Sequence, residues 1–354
     1  MNLQSLSLSH FRNFAKLELS FGNKVLVTGD NSQGKTNLLE AIYFLATTHS
    51  FRRGQEKDMI QFNHEVAHIK GVVAHEGNIS KLEVTLTRGQ ISSNLTPIKR
   101  LTVDGATRNS HSFLGNFLVV QFWPEDLELV IDSPSLRRRH LDSLLSQVDR
   151  QYHKKLVEYD RVIKQRNRLL EQIREKKARE SQLEFWDEKL IEAGLYLVKK
   201  RREFFEFLHG WTIPVFEDCS WKYQPSHLNQ AKIFSDRSRD VAAGATLSGP
   251  HRDEFRFLIN GLDLAFFGSR GEQRLGVLLL KLAELEYIEQ TSGIRPVLLL
   301  DDIFSELDRS HRHHVLEIID QQQTIITATD VGFVDQKLLR EVQVIKIIQG
   351  KITD

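Results

Sequence analysis

The chain is short of several things, and each shortage removes a class of protein. There is one cysteine, Cys219, in 354 residues. It can close no internal disulfide and has no second thiolate with which to hold a metal cluster. That suits a reducing compartment, and a cytoplasmic protein is expected. No apolar run approaches the roughly 18 residues a membrane helix needs, so no membrane partner is expected. The opening Met1-Asn2-Leu3-Gln4-Ser5 lacks the charged-then-apolar pattern of a signal peptide. An excess of one charge is also missing. Lys and Arg number 48 against 47 Asp and Glu, a net charge of +1, so any nucleic-acid binding must come from local patches. Internal repeats and low-complexity segments are absent too. What remains is an ordinary globular composition, 40% hydrophobic and 27% charged, with length for a large core and more than one lobe.

The most informative stretch is Gly29-Asp30-Asn31-Ser32-Gln33-Gly34-Lys35-Thr36, the pattern G-x-x-x-x-G-K-T of a phosphate-binding loop. Val25-Leu26-Val27 reads as a buried strand entering it, and Leu38, Leu39, Ile42, Tyr43 and Leu45 recur at helical spacing after it. In that setting the glycines let the backbone curl so that its N–H groups meet phosphate oxygens, and the helix N-terminus adds partial positive charge. Lys35 then reaches the β- and γ-phosphates of ATP, and the Thr36 hydroxyl sits on Mg²⁺.

Alternating apolar and polar residues predict strands over 6–11, 17–21, 66–74, 82–87 and 98–103, with a compact apolar strand over 117–122. The character changes near Ser133-Pro134. From there to about Arg202 the chain reads as long helices. Leu156, Tyr159, Ile163, Leu170 and Ile173 fall at heptad-like spacing, in a seam too short and too interrupted, at Arg166, for a long coiled coil. Strands resume over 255–259, 297–300, 324–328 and 342–348, with a leucine-striped helix after Gly268. The expected organisation is an α/β ATPase head in two parts, 1–132 and 246–354, separated by a mainly helical lobe over 133–245.

Two further motifs bear on chemistry. Val297-Leu298-Leu299-Leu300-Asp301-Asp302 is an apolar strand that ends in paired carboxylates. Beside a phosphate loop, the first acid holds Mg²⁺ and the second orients or deprotonates the attacking water. Ser269-Arg270-Gly271-Glu272 opens the leucine-striped helix. It reads as a capping box, Ser269 and Glu272 satisfying each other's backbone donors, or as a helix N-terminus offered to a phosphate; both can hold.

The order of these elements resembles ABC-type ATPase heads, and the wide gap between loop and signature-like turn points to the SMC-type branch, where an inserted helical arm splits the head. Within that branch the chain resembles the RecF family. The resemblance runs from residue 3 to the end and is carried by Phe11-Arg12-Asn13-Phe14, Gly29–Ala41, Pro124-Glu125-Asp126-Leu127, Ser133-Pro134 with Arg137-Arg138-Arg139, Ser248-Gly249-Pro250-His251-Arg252-Asp253 and Leu299–Asp308. It implies an ABC/SMC-type P-loop head with a mixed sheet. It implies ATP and Mg²⁺ as cofactors, an ATP-dependent homodimer, and largely sequence-independent binding of single- and double-stranded DNA. It implies work with RecR and RecO, and indirectly RecA, at gapped or stalled replication DNA in DNA repair and the SOS response. Residue by residue, it implies Lys35 and Thr36 on phosphates and Mg²⁺, Asp301 as the metal-side acid and Asp302 as the water-positioning acid. Ser269 and Gly271 fall on the γ-phosphate of the other subunit's ATP, and Asp308 at the subunit interface. Arg52 becomes a phosphate-facing arginine and Gln121 a metal- and water-sensing glutamine.

Three departures point to slow hydrolysis, a weak DNA-dependent ATPase. The second acid is Asp302 where fast ABC ATPases carry the longer glutamate. Glu272 replaces the usual glutamine and brings a negative charge near a phosphate unless it folds back as a cap. The segment 325–330 has no histidine sensor. Basic residues cluster at Arg52-Arg53, Arg137–Arg139, Arg150–Arg179 and Lys199–Arg202, and no base-reading motif is visible, so backbone contacts are expected. The cluster His311, His313 and His314 reads as a solvated helix face. Three other classes compete. An SMC-type structural or end-processing head needs a longer arm or a nuclease partner, and a transporter-energising subunit needs a closer loop and signature. A DNA scaffold with a vestigial ATP site would keep its functions when Lys35 is replaced.

Overall fold

The computed structural model describes residues 1–52, 54–91, 94–211, 219–303, 319–329 and 339–353. The chain forms two compact units, Met1–Asp126 with Glu284–Asp354, and Leu127–Ala283. Elements are numbered along the chain.

The first unit holds two six-stranded sheets. One takes β1 (Asn2–Phe11), β2 (Phe14–Ser20), β4 (Val66–His75), β5 (Asn78–Thr87), β8 (Lys99–Val103) and β9 (Ala106–Arg108) in the order β2-β1-β4-β5-β8-β9, antiparallel throughout. Burial alternates along β4 and β5, the mark of a sheet with one face on a core. A pair of two-residue antiparallel strands, β6 (Gln90–Ile91) with β7 (Asn94–Leu95), and the short helix α2 (Ser110–Phe113) complete this region. The other sheet takes β3 (Lys24–Thr28), β10 (Val119–Phe122), β14 (Val297–Asp301), β15 (Thr324–Ala328), β16 (Gln343–Ile348) and β17 (Lys351–Thr353) in the order β10-β14-β15-β3-β16-β17. It is parallel except for the closing β16–β17 hairpin. Every residue of β14 and β15 is buried, which is why Val297–Leu300 reads as an unbroken apolar run.

The helix α1 (Lys35–Thr47) packs on both sheets. Leu38, Leu39, Ile42, Phe44 and Leu45 share one core with Leu3, Leu6 and Leu8 of the antiparallel sheet and Val25, Leu299 and Ile325 of the parallel one. Such a helix is apolar nearly all round. Its approach to β4 needs Gly71, where a Cβ would strike the Leu45 side chain and come within 3.2 Å of Leu3 Cδ1. Buried Gln323 ties the sheets together: its Nε2 donates to the carbonyls of Leu3 and Gly22 at 2.9 and 2.8 Å, and its Oε1 accepts from Leu3 N at 2.6 Å.

The second unit is mainly helical: α3 (Glu128–Ile131), α4 (Pro134–Val148), α5 (Arg150–Arg174), α6 (Leu183–Gly210), α7 (Gln230–Ala243), α8 (Leu264–Phe267) and the first part of α9 (Arg270–Ser292). They accompany a three-stranded antiparallel sheet of β11 (Cys219–Gln224), β12 (Glu254–Ile259) and β13 (Leu262–Asp263). The inward face of α5 is Tyr152, Tyr159, Val162, Arg166 and Leu170; Leu156, Ile163 and Ile173 are only half-buried. Arg166, which reads as an interruption of the seam, is its centre. It donates to Asp187 at 2.8 Å, to Asp240 at 2.7 Å and to Thr246 at 2.8 Å, tying α5 to α6 and α7. Arg201 on α6 makes a second buried centre, donating to Asp142, Asp253 and the Pro250 carbonyl, each at 2.7 Å. Breaking either centre leaves buried carboxylates unpaired, which costs about 3–5 kcal/mol.

Candidate nucleotide site

The phosphate loop leaves β3 at Thr28 and enters α1 at Lys35. Two of its glycines are needed for conformation and for space. Gly29 has φ 149° and Gly34 φ 118°. A Cβ at Gly29 would fall on the Ile347 carbonyl oxygen, and one at Gly34 would sit 2.6 Å from the Asn13 amide nitrogen. The loop is shaped by turns far away in sequence. Asn13 Nδ2 donates to the Gln33 carbonyl at 2.9 Å and Asn13 Oδ1 accepts from Asn37 at 2.9 Å. The backbone N–H groups of Gln349 and Gly350 donate to Gln33 at 2.5 and 3.0 Å. No side chain caps α1 and no acid stands in its first turn, so its leading N–H groups suit an anion. Lys35 is buried and donates from Nζ to the carbonyls of Gly29 at 2.5 Å and Asp30 at 3.0 Å. Burial lowers its pKa, against the pull of Asp302, Asp301 and Asp30. Asp30, Asn31 and Ser32 are exposed, and Thr36 is half-buried in the first helical turn.

The two acids stand at the end of β14, two strands from the loop strand, with β15 between. Thr327 on β15 fixes both. Its Oγ1 donates to Asp301 at 2.6 Å and accepts from the Asp302 N–H at 3.0 Å, while its carbonyl accepts from the same N–H at 3.2 Å. Asp302 takes the left-handed backbone conformation, φ 50°, where the chain turns off the strand. Gln121 on β10 pairs in register with Leu299, so it shares a face with Leu299 and Asp301. It is buried, and neither its Nε2 nor its Oε1 has a partner among the described residues. A buried amide without a partner calls for a reason. Thr36, Asp301 and Gln121 offer hydroxyl, carboxylate and amide oxygen, the hard donors that suit Mg²⁺. No cluster of three or more His, Cys, Asp or Glu exists among the described residues.

Arg52 belongs to a bracket that the sequence did not reveal. Its centre is Glu40 of α1, whose side chain is 0% exposed. Arg12 grips it with both prongs, Nε to Oε2 at 2.9 Å and Nη2 to Oε1 at 2.6 Å, and Ser50 donates at 2.6 Å. Arg52 lies at 3.4 Å from the same carboxylate and donates to Asn37 Oδ1 at 2.7 Å. Asn37 in turn holds Asn13, so Arg52 and the phosphate loop share one network. The sequence signal was the pair Arg12 and Glu40 inside motifs noted for other reasons.

The signature-like turn begins α9, in the second unit. Ser269 N and Oγ both donate to Glu272 Oε2 at 2.7 Å, and Glu272 N donates to Ser269 Oγ at 3.3 Å. The capping box is therefore formed. These bonds hold the Glu272 carboxyl below its usual range, Ser269's hydroxyl first. Ser269, Arg270 and Gly271 are exposed. Asp308, the histidines 311, 313 and 314, Asp330 and Arg53 lie outside the described residues.

The basic sets divide by burial. Arg137 is buried, bidentate on Glu254 at 2.7 and 2.9 Å, and Arg138 donates to the Asp253 carbonyl at 2.8 Å. With Arg166 and Arg201 they are used within the fold, not offered to a partner.

A phosphate loop on a parallel sheet, paired acids two strands away and a distant capped turn, in a chain divided by helices, define an ABC/SMC-type P-loop ATPase head. A family model described as RecF/RecN/SMC N terminal domain matches residues 2–353. The chain belongs to the RecF family. It is 36% identical over 376 residues to the DNA replication and repair protein RecF of Halalkalibacterium halodurans, covering 99% of each. It is 34% identical over 366 residues to the protein of that name from Agathobacter rectalis, again covering 99% of each. Two solved structures, of the recombination mediator protein RecF-ATPrS and RecF-ATP in the RecFOR pathway, are similar with TM-score 0.87. They share 32% and 31% identity with it, and it covers 97% and 96% of those chains.

Proposed function

We propose that this chain is an ATP-dependent DNA-binding recombination mediator, in which ATP closes two copies over DNA and slow hydrolysis lets them go. In this reading it acts with RecR and RecO to help load RecA at gapped or stalled replication DNA, as part of DNA repair and the SOS response. The observation that carries it is the pairing of a preformed phosphate loop in one compact unit with a capped, exposed Ser269 turn in the other. Ser269 and Gly271 of one copy meet the γ-phosphate of ATP held by Lys35 of its partner. The folded-back Glu272 supports this, because its charge is spent on the cap. Bound Mg²⁺, held through Thr36, Asp301 and Gln121, would neutralise phosphate charge. Asp302, shorter than a glutamate, orients water poorly, and the expected turnover is below about 1 s⁻¹ on the ordinary enzyme scale.

Sedimentation of wild type and Ser269→Arg with ATP and Mg²⁺ tests the reading. Wild type should dimerise and the variant should stay monomeric while still binding ATP. A variant that dimerises as well as wild type removes Ser269 from the interface. The competing reading, a scaffold with a vestigial ATP site, requires Lys35→Ala to keep full DNA binding and dimerisation.

A further inference from the structure

On α5 the face opposite the buried seam is a line of unpaired cations. Arg150, Lys154, Arg161, Lys164 and Arg168 are all exposed. At 3.6 residues per turn they fall within about 80° of one another and span roughly 27 Å. None of the five is in an ion pair among the described residues, whereas Lys155 on the flank is tied to Glu158 at 3.0 Å and Glu192 at 2.7 Å. The remaining residue of the line is Val157, which is neutral, and no acid interrupts it; Asp160 borders its edge and Glu171 and Glu175 follow its end. The neighbouring helix shows that this is not the general composition of the unit. The outward line of α6 is Glu184, Glu188, Glu192, Leu195, Lys199 and Arg202, a mixed face of the kind that only solvates a helix.

We infer that the Arg150–Arg168 face of α5 is the tract along which this protein holds a DNA backbone. The inference rests on the proposed DNA binding and adds the surface. Among the basic sets of the chain, Arg137, Arg166 and Arg201 are buried against carboxylates and removed from contention. The α5 line keeps its cations aligned and outside any ion pair among the described residues, with Asp160 the acid beside Lys164 at its edge. A hollow lined by Val157, Asp160, Arg161, Lys164 and Gln165 lies at the middle of the row, and a straight row of cations along one helix face suits a line of phosphates and not base edges, so it positions DNA without reading its sequence.

The test is fluorescence anisotropy of a labelled mixed-sequence duplex with the full-length protein, ATP and Mg²⁺, over a salt series. Each phosphate neutralised contributes about −0.9 to the slope of log K against log salt. The variant Arg161→Gln, Lys164→Gln, Arg168→Gln should lower the slope by up to roughly 2.7 for each protomer engaged, with ATP binding unchanged. The α6 variant Lys199→Gln, Arg202→Gln should keep the wild-type slope. An α5 variant with wild-type slope and affinity overturns the tract, as does an α6 variant that loses as much. If wild type itself fails to bind duplex with ATP, the proposed function falls, a result distinct from either of these.

Discussion

Glu40→Gln is the sharpest test of how the nucleotide site is supported. The substitution keeps volume and one acceptor but removes the charge. In the structure the carboxylate accepts two bonds from Arg12 at 2.9 and 2.6 Å and one from Ser50 at 2.6 Å. Charge-assisted bonds contribute about 1.5–3 kcal/mol each. Glutamine can keep the two made to Oε1, from Arg12 Nη2 and Ser50, without their charge assistance, and its amide nitrogen in place of Oε2 then meets Arg12 Nε, donor against donor. Against the full sum, the Arg12 side chain is 21% exposed, so water reaches the guanidinium it leaves behind. The expected loss is therefore about 3 kcal/mol, the lower end for breaking a buried pair. For a unit of this size that lowers the thermal midpoint by roughly 6–12 °C. Arg52 keeps its 2.7 Å bond to Asn37 but loses its carboxylate neighbour, so ATP affinity should fall too. Calorimetry of Glu40→Gln, Arg12→Ala and the double variant gives the coupling. If the bracket exists, the double variant unfolds within a few degrees of the worse single one. Strict additivity, or a midpoint drop of under about 2 °C for Glu40→Gln, refutes the argument.

Thr327→Val removes the hydroxyl that binds Asp301 and receives the Asp302 N–H; it should cost about 1–3 kcal/mol and lower the hydrolysis rate more than ATP affinity, and equal loss of both in steady-state and binding assays would count against it. Lys35→Met should abolish ATP-induced stabilisation yet raise the midpoint of the nucleotide-free protein, because burial disfavours the charged ammonium there; scanning calorimetry with and without ATP reads both, and a lower nucleotide-free midpoint would contradict the desolvation. His251, between Tyr159 Oη at 2.8 Å and the Thr246 carbonyl at 3.0 Å, has its pKa lowered to about 4, chiefly by burial. The unfolded state, titrating near 6.5, then binds more protons between those values, so stability is present above pH 6.5 and is lost as pH falls towards 4. Urea unfolding should show about 2 kcal/mol less stability at pH 5 than at pH 7 from this group, and His251→Gln should flatten that dependence; an unchanged slope in the variant assigns it elsewhere.

How much was legible depended on whether the partners of a residue lie near it in the chain. Gly29–Thr36 could be read because strand, loop and helix are consecutive and the glycines do a local job. The Ser269–Glu272 box could be read for the same reason, since its two halves are three residues apart. Thr327, Glu40 and Gln323 could not. Each acts on residues brought to it by the sheets: Asp301 for Thr327, Arg12 for Glu40, Leu3 and Gly22 for Gln323. Charge was the least legible quantity. Arg137, Arg166 and Arg201 sit in runs that read as exposed basic faces, yet all three are buried against carboxylates supplied from other segments. A count of lysine and arginine cannot separate Arg166 from Arg161 and Arg168, five and two residues away on the opposite side of the same helix. Only the burial pattern of α5 does that.

The same supports bear on what ATP can do here. Asn13 and the β16–β17 turn hold the phosphate loop, Thr327 holds both acids, and Glu40 holds Arg12 beside Arg52. A site shaped this way has little left to order when nucleotide arrives, and binding energy not used in ordering the site remains for other work. On the proposed reading that work is association of two copies through Ser269. On the same proposed reading, the chemistry is restrained at the same place. Asp302 is a short acid fixed by its own backbone N–H to Thr327, so reaching an attacking water is left to the side chain alone. A site that binds readily and cleaves reluctantly stays closed for most of its cycle, which is what a clamp on DNA requires and a motor does not.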